Sequence, residues 1–172
     1  MKDKRSLPIE ATTTIEKVEE YFAFANPILC IDPNDPYMAE HYPPARVATE
    51  LSSGRRALFL VRDEGAIVAG AMAKVFGEGD RELRRIEDPD PIVLFEYAAV
   101  REDSRRQGVW TRLFQAREAW AREHGFRNIV MEVELTAEAS LYAAFKNGFV
   151  ATHLLPPSLG IVGPYLILRK NL

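Results

Sequence analysis

Three arginines and a glycine stand close together in the segment VREDSRRQGVWT, residues 100–111. Arg101, Arg105 and Arg106 can make charge-assisted hydrogen bonds to phosphate, and Gly108 would let a ligand approach the backbone closely. An apolar run precedes this segment and an amphipathic run follows it, so we predict a loop between a strand and a helix. Because a helix start carries unpaired N–H groups and partial positive charge, the segment could hold a pyrophosphate. The alternative is an ordinary helix start with solvated arginines.

Glu96 is a second candidate, because it is an acid within the apolar run IVLFEYAAV of residues 92–100. A carboxylate there could act as a general base, or it could pair with an arginine at a sheet edge. The lone cysteine, Cys30, lies in a proline-rich stretch and shows no sign of being a nucleophile. We predict no metal site, because the three histidines lie far apart and none has a metal-ligand spacing: His41, His124 and His153.

The composition indicates one folded domain without a nucleic-acid or membrane partner. The chain has 172 residues, 47% hydrophobic and 27% charged, which excludes disordered and fibrous proteins and predicts a single domain over residues 1–172. A net charge of -3 argues against a protein that wraps nucleic acid. One cysteine excludes a disulfide framework. With no membrane-length apolar run and no apolar signal region, we expect a cytoplasmic protein.

The first half of the chain is predicted to contain two helices and a β-hairpin. Apolar residues recur at helical spacing up to Pro27, which we expect to end the first helix. Residues 30–44 carry four prolines and should be largely irregular. The predicted elements are a strand at 7–11, helices at 15–27 and 45–51, and strands at 57–61 and 66–76.

The second half is predicted to alternate strands and helices. Gly125 should follow the end of the long helix, and Thr136 could cap the next one. The predicted elements are strands at 92–100, 129–134, 149–153 and 165–170, and helices at 107–124 and 136–146. Because a helix connects two strands here, at least one strand pair should be parallel, and the class is mixed α/β or α+β.

Several of these segments resemble the GNAT superfamily of N-acetyltransferases. The family signature Arg/Gln-x-x-Gly-x-Gly/Ala matches RRQGVW at residues 105–110. FEYAAV at residues 95–100 resembles the family's fourth strand, and GFRNIVMEV at residues 125–133 resembles the fifth. NGFV at residues 147–150 resembles the opening of the sixth strand, and PIEAT at residues 8–12 fits the first.

The resemblance implies a fold and an activity. The fold would be α/β (α+β), with a mixed, mostly antiparallel sheet of about seven strands and about four helices. The activity would be transfer of an acetyl or other acyl group from a coenzyme A thioester to a primary amine of a small molecule or peptide, by direct attack. The co-substrate would be acetyl-CoA or another acyl-CoA, without a metal.

The resemblance also implies site residues. Glu96 would be the base, and Tyr142 would be the general acid. Two positions depart from the family: Trp110 replaces the second Gly/Ala of the pyrophosphate motif, and Ala144 stands where the family often has its tyrosine, two residues after Tyr142. The coenzyme-binding residues would be Ala98, Ala99, Val100, Arg105, Arg106, Gln107, Gly108, Val109, Trp110 and Thr111.

These departures keep alternatives open. The Trp110 indole could fill the pyrophosphate space, or it could point into the core and leave binding intact. A displaced tyrosine and this tryptophan also fit a non-catalytic acyl-CoA-binding or interaction domain, or a transferase that uses an acyl carrier protein. The acceptor is expected near residues 30–44, with Tyr37, His41 and Tyr42, and near residues 153–164. The sequence leaves the oligomeric state open, a homodimer included.

Overall fold

The computed structural model describes residues 7–12, 14–32, 34, 42–77, 86, 90–156 and 163–172. The predictions for Tyr37 and His41, and for residues 157–162 of the stretch 153–164, lie outside these described residues. The strands are β1 (Ile9–Thr12), β2 (Arg56–Asp63), β3 (Ala66–Val75), β4 (Ile92–Val100), β5 (Asn128–Glu134), β6 (Val150–Leu155) and β7 (Tyr165–Asn171). The helices are α1 (Ile15–Leu29), α2 (Pro44–Ser52), α3 (Val109–Glu123) and α4 (Glu138–Lys146).

The strands form a seven-stranded sheet in the order β1-β2-β3-β4-β5-β7-β6. β1 pairs antiparallel with β2, and β7 pairs antiparallel with both β5 and β6. β4 and β5 pair in parallel, from Ile92 with Asn128 to Phe95 with Met131, because α3 carries the chain back to the starting edge between them. The predicted mixed, mostly antiparallel fold of about seven strands and about four helices is therefore confirmed over the described residues.

The chain packs as two compact units. The first unit comprises Met1–Met72 with Tyr97–Ala116, and the second comprises Ala73–Glu96 with Arg117–Leu172. The core of the first unit lies between α1, α2 and the strands β2 and β3, and its fully buried members include Val18, Tyr21, Leu58, Leu60 and Met72. The second unit has its own apolar cluster, formed by Phe76, Ile92, Leu94, Val130 and Ile167.

Two predicted helix ends are wrong. Pro27 does not end α1 but lies inside it, because a proline in the last turn removes only its own N–H group while the chain continues to Leu29. Cys30, with φ 54°, ends the helix instead, and its N–H donates to the Asn26 carbonyl. Thr136 does not cap α4, since the N-cap position is held by Ala137 without a side-chain hydrogen bond.

The end of α3 agrees with its prediction. Gly125 has φ 78°, and its N–H donates to the Arg122 carbonyl at 3.0 Å. The Phe126 N–H donates to the Ala121 carbonyl at 2.9 Å, which completes a Schellman motif. No helix among the residues described is long and apolar enough to cross a membrane.

Candidate functional site

β4 contains one residue more than the strand beside it. The Arg101 N–H donates to the Val68 carbonyl at 2.9 Å, and the Phe76 N–H donates to the Ile92 carbonyl at 2.9 Å. The two bonds join antiparallel segments of chain. Between them lie eight residue steps on the β3 side, from 68 to 76, but nine on the β4 side, from 92 to 101. The extra residue is a β-bulge, and Tyr97 within this interval has φ 50°, which a bulky side chain rarely adopts.

Residues of α1 hold Tyr97 in this conformation. The Tyr21 hydroxyl donates to the Tyr97 carbonyl, and the Tyr97 hydroxyl donates to Oδ1 of Asn26. The Tyr97 ring also packs against Phe22 and Tyr42, each with ring centroids 5.1 Å away. Strained backbone persists only where its surroundings fix it, and the two hydrogen bonds from α1, one at the Tyr97 carbonyl and one at its hydroxyl, do so.

The predicted thioester-binding residues follow the bulge directly. Ala98 is half-buried, while Ala99 and Val100 are buried. The Val100 carbonyl accepts a hydrogen bond of 3.3 Å from Nε of Arg105, so this arginine braces the end of β4. Glu96, the predicted base, is half-buried and immediately precedes the bulge residue in β4.

The loop after β4 is held by its own hydrogen bonds. A short 3₁₀ turn, Glu102–Ser104, opens it. Asp103 organises the turn, because its carboxylate pairs with Nε of Arg101 at 2.7 Å and its carbonyl accepts from Nε2 of Gln107 at 2.9 Å. The Arg101 guanidinium therefore serves the loop's own structure, in addition to any role towards an anion.

The next part of the loop presents exposed backbone. All four residues from Arg105 to Gly108 are exposed, and the φ angles of Arg106 and Gly108 are 61° and 76°. A Cβ on Gly108 would meet no atom within 4 Å, so a ligand can reach the backbone there. Left-handed residues at such a turn can direct N–H groups into an anion-binding concavity.

α3 begins at Val109 directly after this turn, and its first turn contains no acidic residue. Val109 is buried and anchors the helix, whereas Thr111 is exposed. The positive end of α3 thus carries no carboxylate that would compete with a bound anion. The predicted loop between a strand and a helix is confirmed here, with the helix starting two residues later than the sequence suggested.

Trp110, the departure from the family signature, packs along its own helix. Its indole lies edge-to-face on Phe114, with ring centroids 5.6 Å apart, and Phe114 is fully buried. Nε1 of Trp110 is buried and has no hydrogen-bond partner among the described residues. The indole is therefore directed towards the apolar side of α3.

Tyr142, the predicted acid, lies on the outer side of α4. Its side chain is 69% exposed, and Nζ of Lys146 lies 6.0 Å from its ring centroid. Ala144, where the family often has its tyrosine, is fully buried. Two residues correspond to about 200° of helix rotation, so these two side chains face opposite ways.

Sequence reasoning missed Tyr21, Asn26 and Tyr97 as parts of the site. In the sequence, the two residues of α1 have the pattern of ordinary members of an amphipathic helix. Tyr97 has the pattern of one more residue of an apolar strand. A glycine or asparagine at position 97 would have indicated a positive φ, but a tyrosine gives no such signal. Within the described part of the chain, no group of three or more potential metal ligands was found.

The sequence is similar to a known protein family. The sequence model of the acetyltransferase (GNAT) family matches residues 17–149, which is more than half of the chain. A search among curated protein sequences found no match.

Solved structures share the fold. A ribosomal-protein-alanine N-acetyltransferase from Brucella melitensis is similar, with TM-score 0.70 and 19% identity over 96% of this chain and 100% of that one. PaiA N-acetyltransferase from Thermoplasma acidophilum in complex with coenzyme A has TM-score 0.68 and 13% identity, over 96% and 100%. An IAA acetyltransferase from Bacillus cereus ATCC 14579 has TM-score 0.67 and 14% identity, over 97% and 100%. On the family match, the chain belongs to the acetyltransferase (GNAT) family.

Proposed function

We propose that this protein is an N-acyltransferase that moves an acetyl or other acyl group from a coenzyme A thioester to a primary amine. The observation that carries the proposal is the exposed, left-handed turn at Arg106 and Gly108, which stands between β4 and the acid-free start of α3. A phosphate needs N–H groups, nearby cations and open backbone, and this turn offers all three.

The donor would be held at two places along one segment. The N–H groups of the turn and of the first residues of α3 would bind the pyrophosphate, and two exposed arginines would add charge. We assign this role to Arg105, Arg106, Gln107, Gly108, Val109, Trp110 and Thr111. The backbone of Ala98, Ala99 and Val100 would bind the pantetheine and the thioester carbonyl. Trp110 would contribute its backbone N–H group, because its indole packs on Phe114.

Acyl transfer then needs a neutral amine and a stabilised oxyanion. Glu96 would accept the amine's proton, directly or through water, and the amine nitrogen would form a bond to the thioester carbon. N–H groups after the bulge would stabilise the negative charge that develops on the carbonyl oxygen. As the carbon–sulfur bond breaks, the thiolate would take a proton from Tyr142 or from water. Because Tyr142 is 69% exposed, water can replace it.

The acceptor is proposed to be an amine of a small molecule or a peptide. One similar protein is named for a ribosomal protein's alanine, which supports a peptide amine, and another is named for IAA. Tyr42, in the region where the acceptor is expected, is half-buried against the Tyr97 ring. An aromatic wall of this kind could contact an apolar part of the acceptor or bind its ammonium group by a cation–π interaction.

Calorimetry with acetyl-CoA and a thiol-release assay over a panel of amines test the proposal. We expect the wild type to bind acetyl-CoA and to release thiol with some amines. Glu96→Gln should retain binding and lose about 100-fold in kcat, the usual size of a general-base effect. Glu64→Gln, an exposed acid in the β2–β3 turn, is the control and should keep wild-type kcat.

The outcomes separate the alternatives. Binding without turnover of any amine would favour the non-catalytic acyl-CoA-binding domain. Turnover with an acyl carrier protein but not with acetyl-CoA would identify the altered donor. An unchanged kcat in Glu96→Gln would refute the base assignment while leaving the transferase activity standing.

A further inference from the structure

Tyr21 has a hydrogen bond whose position gives it a role beyond packing. Its hydroxyl donates to the carbonyl of Tyr97, and the peptide bond between Tyr97 and Ala98 is trans. In a trans peptide group the C=O and the following N–H point in opposite directions within one plane. The Tyr21 hydroxyl therefore fixes the plane of this peptide, and the Ala98 N–H points away from Tyr21.

The hydrogen bonds of β4 indicate which edge that N–H faces. Arg101 donates its N–H to Val68 on the β3 side. Because residues of an antiparallel strand alternate between the two edges, Ala99 also faces β3, whereas Ala98 and Val100 face the other edge. The Val100 carbonyl accepts a hydrogen bond from the Arg105 side chain, which agrees with this alternation.

Tyr21 is itself fixed in place. Its side chain is fully buried, and it lies against Gly70 of β3, where a Cβ would stand 2.4 Å from Cε2 of the ring. The ring also meets Tyr97 edge-on, with centroids 6.1 Å apart. α1 holds the bulge at a second point through Asn26, so the orientation of the bulged peptide depends on helix α1 and not on the sheet alone.

We propose that Tyr21 is a positioning residue for acyl transfer, which acts by orienting the Tyr97–Ala98 peptide so that the Ala98 N–H is aimed at the thioester carbonyl. This inference rests on the proposed function. An N–H donor to a developing oxyanion must be oriented before the reaction to be fully effective. Tyr21 does not touch the donor molecule; it acts through the backbone.

Tyr21→Phe tests the role, because it keeps the buried ring and removes only the hydroxyl. Loss of one oxyanion donor typically costs about 100-fold or more in kcat, and a donor that is misaimed rather than absent should cost about tenfold to 100-fold. KM for acetyl-CoA should change less than about threefold, since the loop that would bind pyrophosphate is untouched.

Phe22→Leu is the matched control for loosened packing. Phe22 is the next residue of α1 and packs on the same Tyr97 ring at 5.1 Å, but it makes no hydrogen bond to the bulged peptide. Urea unfolding should show that both variants are destabilised. If Tyr21 has a packing role only, the loss of kcat in each of the two variants will be in proportion to its loss of stability. A wild-type kcat in Tyr21→Phe, or an equal loss in Phe22→Leu, would overturn the proposal.

The Ala98 amide resonance separates this inference from the activity itself. With ¹⁵N-labelled protein, acetyl-CoA should shift this resonance in the wild type and in Phe22→Leu, and shift it much less in Tyr21→Phe. If the wild type binds acetyl-CoA without turnover, the proposed transferase activity is wrong, and the shift of the Ala98 amide resonance alone tests the positioning role of Tyr21. An equal shift in all three proteins would refute the positioning role, and no binding of acetyl-CoA to the wild type would overturn both proposals.

Discussion

The ring of Tyr21 lies against Gly70, at a distance that leaves no room for a side chain. A Cβ on Gly70 would stand 2.4 Å from Cε2 and 2.9 Å from Cδ2 of the Tyr21 ring, and 3.1 Å from Cδ2 of Leu60. Since Tyr21 and Leu60 are both fully buried, neither can move away at low cost. The glycine is what allows α1 to approach β3 closely enough for the Tyr21 hydroxyl to reach the bulge.

Gly70→Ala should therefore destabilise the protein by about 2 kcal/mol, the usual size of an overpacking penalty. Urea unfolding measures this change. The same substitution in a Tyr21→Leu background should cost clearly less, because the smaller side chain removes the ring atoms that clash. Equal costs in the two backgrounds would show that Tyr21 is not the obstacle.

Gly108→Ala should weaken acetyl-CoA binding more than it weakens the fold. Its Cβ would enter open space, so the structural cost is that of an alanine at φ 76°, about 1 kcal/mol. Gly125→Ala is a close control, with φ 78° and equally open space at the other end of α3. We expect similar losses of stability in both, and a raised Kd only in Gly108→Ala. A raised Kd in both variants would contradict the proposed site.

Trp110→Ala should lower stability without weakening the binding of acetyl-CoA. The half-buried indole packs on Phe114, and truncating it should cost about 2 kcal/mol, below the range for fully buried tryptophans. Calorimetry should give a Kd within about threefold of the wild type. If the wild type fails to bind and Trp110→Ala binds, the indole occupies the pyrophosphate space.

The ion pair between Glu20 and Arg62 should make a pH-dependent contribution to stability. The guanidinium holds both carboxylate oxygens, at 2.7 and 2.6 Å, and this hydrogen bonding lowers the pKa of Glu20 below 4.5. A lowered pKa stabilises the fold above the unfolded-state value, and this contribution is lost as the pH falls through the folded-state value.

Glu20→Gln should therefore be less stable than the wild type by about 0.5 kcal/mol at pH 7, a small figure because the pair is exposed to solvent. The difference should shrink as the pH falls below 4.5. Urea unfolding between pH 7 and pH 3 measures it. Glu19→Gln, at the exposed neighbouring position, changes the net charge equally and should show no such trend; a matching trend there would refute the assignment to this pair.

The order of strands and helices could be predicted because each element has a strong local pattern. The run at residues 92–100 is continuously apolar and flanked by polar residues, and β4 spans Ile92–Val100 as predicted. The position of Gly125 after α3 could be predicted equally well, because a positive φ favours glycine. The prediction that Pro27 ends α1 was wrong, because proline is tolerated where the following residues still form hydrogen bonds within the last turn.

The bulge could not be predicted, because no residue type marks it. Tyr97 takes a positive φ only because Tyr21 and Asn26 hold it, and these residues lie more than seventy positions away in the chain. Local propensity would place a tyrosine in regular strand. The direction of the Trp110 indole likewise depends on the burial of Phe114 and not on the signature around it.

The extra residue of β4 should lower the thermal stability of the protein while it supports the proposed activity. A chain without Tyr97 would have a regular β3–β4 ladder and no positive φ within β4, and strain of this kind costs about 1–3 kcal/mol. Laboratory evolution that selects for thermal tolerance alone would favour its deletion, and the same deletion would remove the carbonyl through which Tyr21 is proposed to orient the Ala98 N–H. Stabilised variants of this protein should thus be sought outside β4, for example in the β2–β3 turn, with β4 kept unchanged.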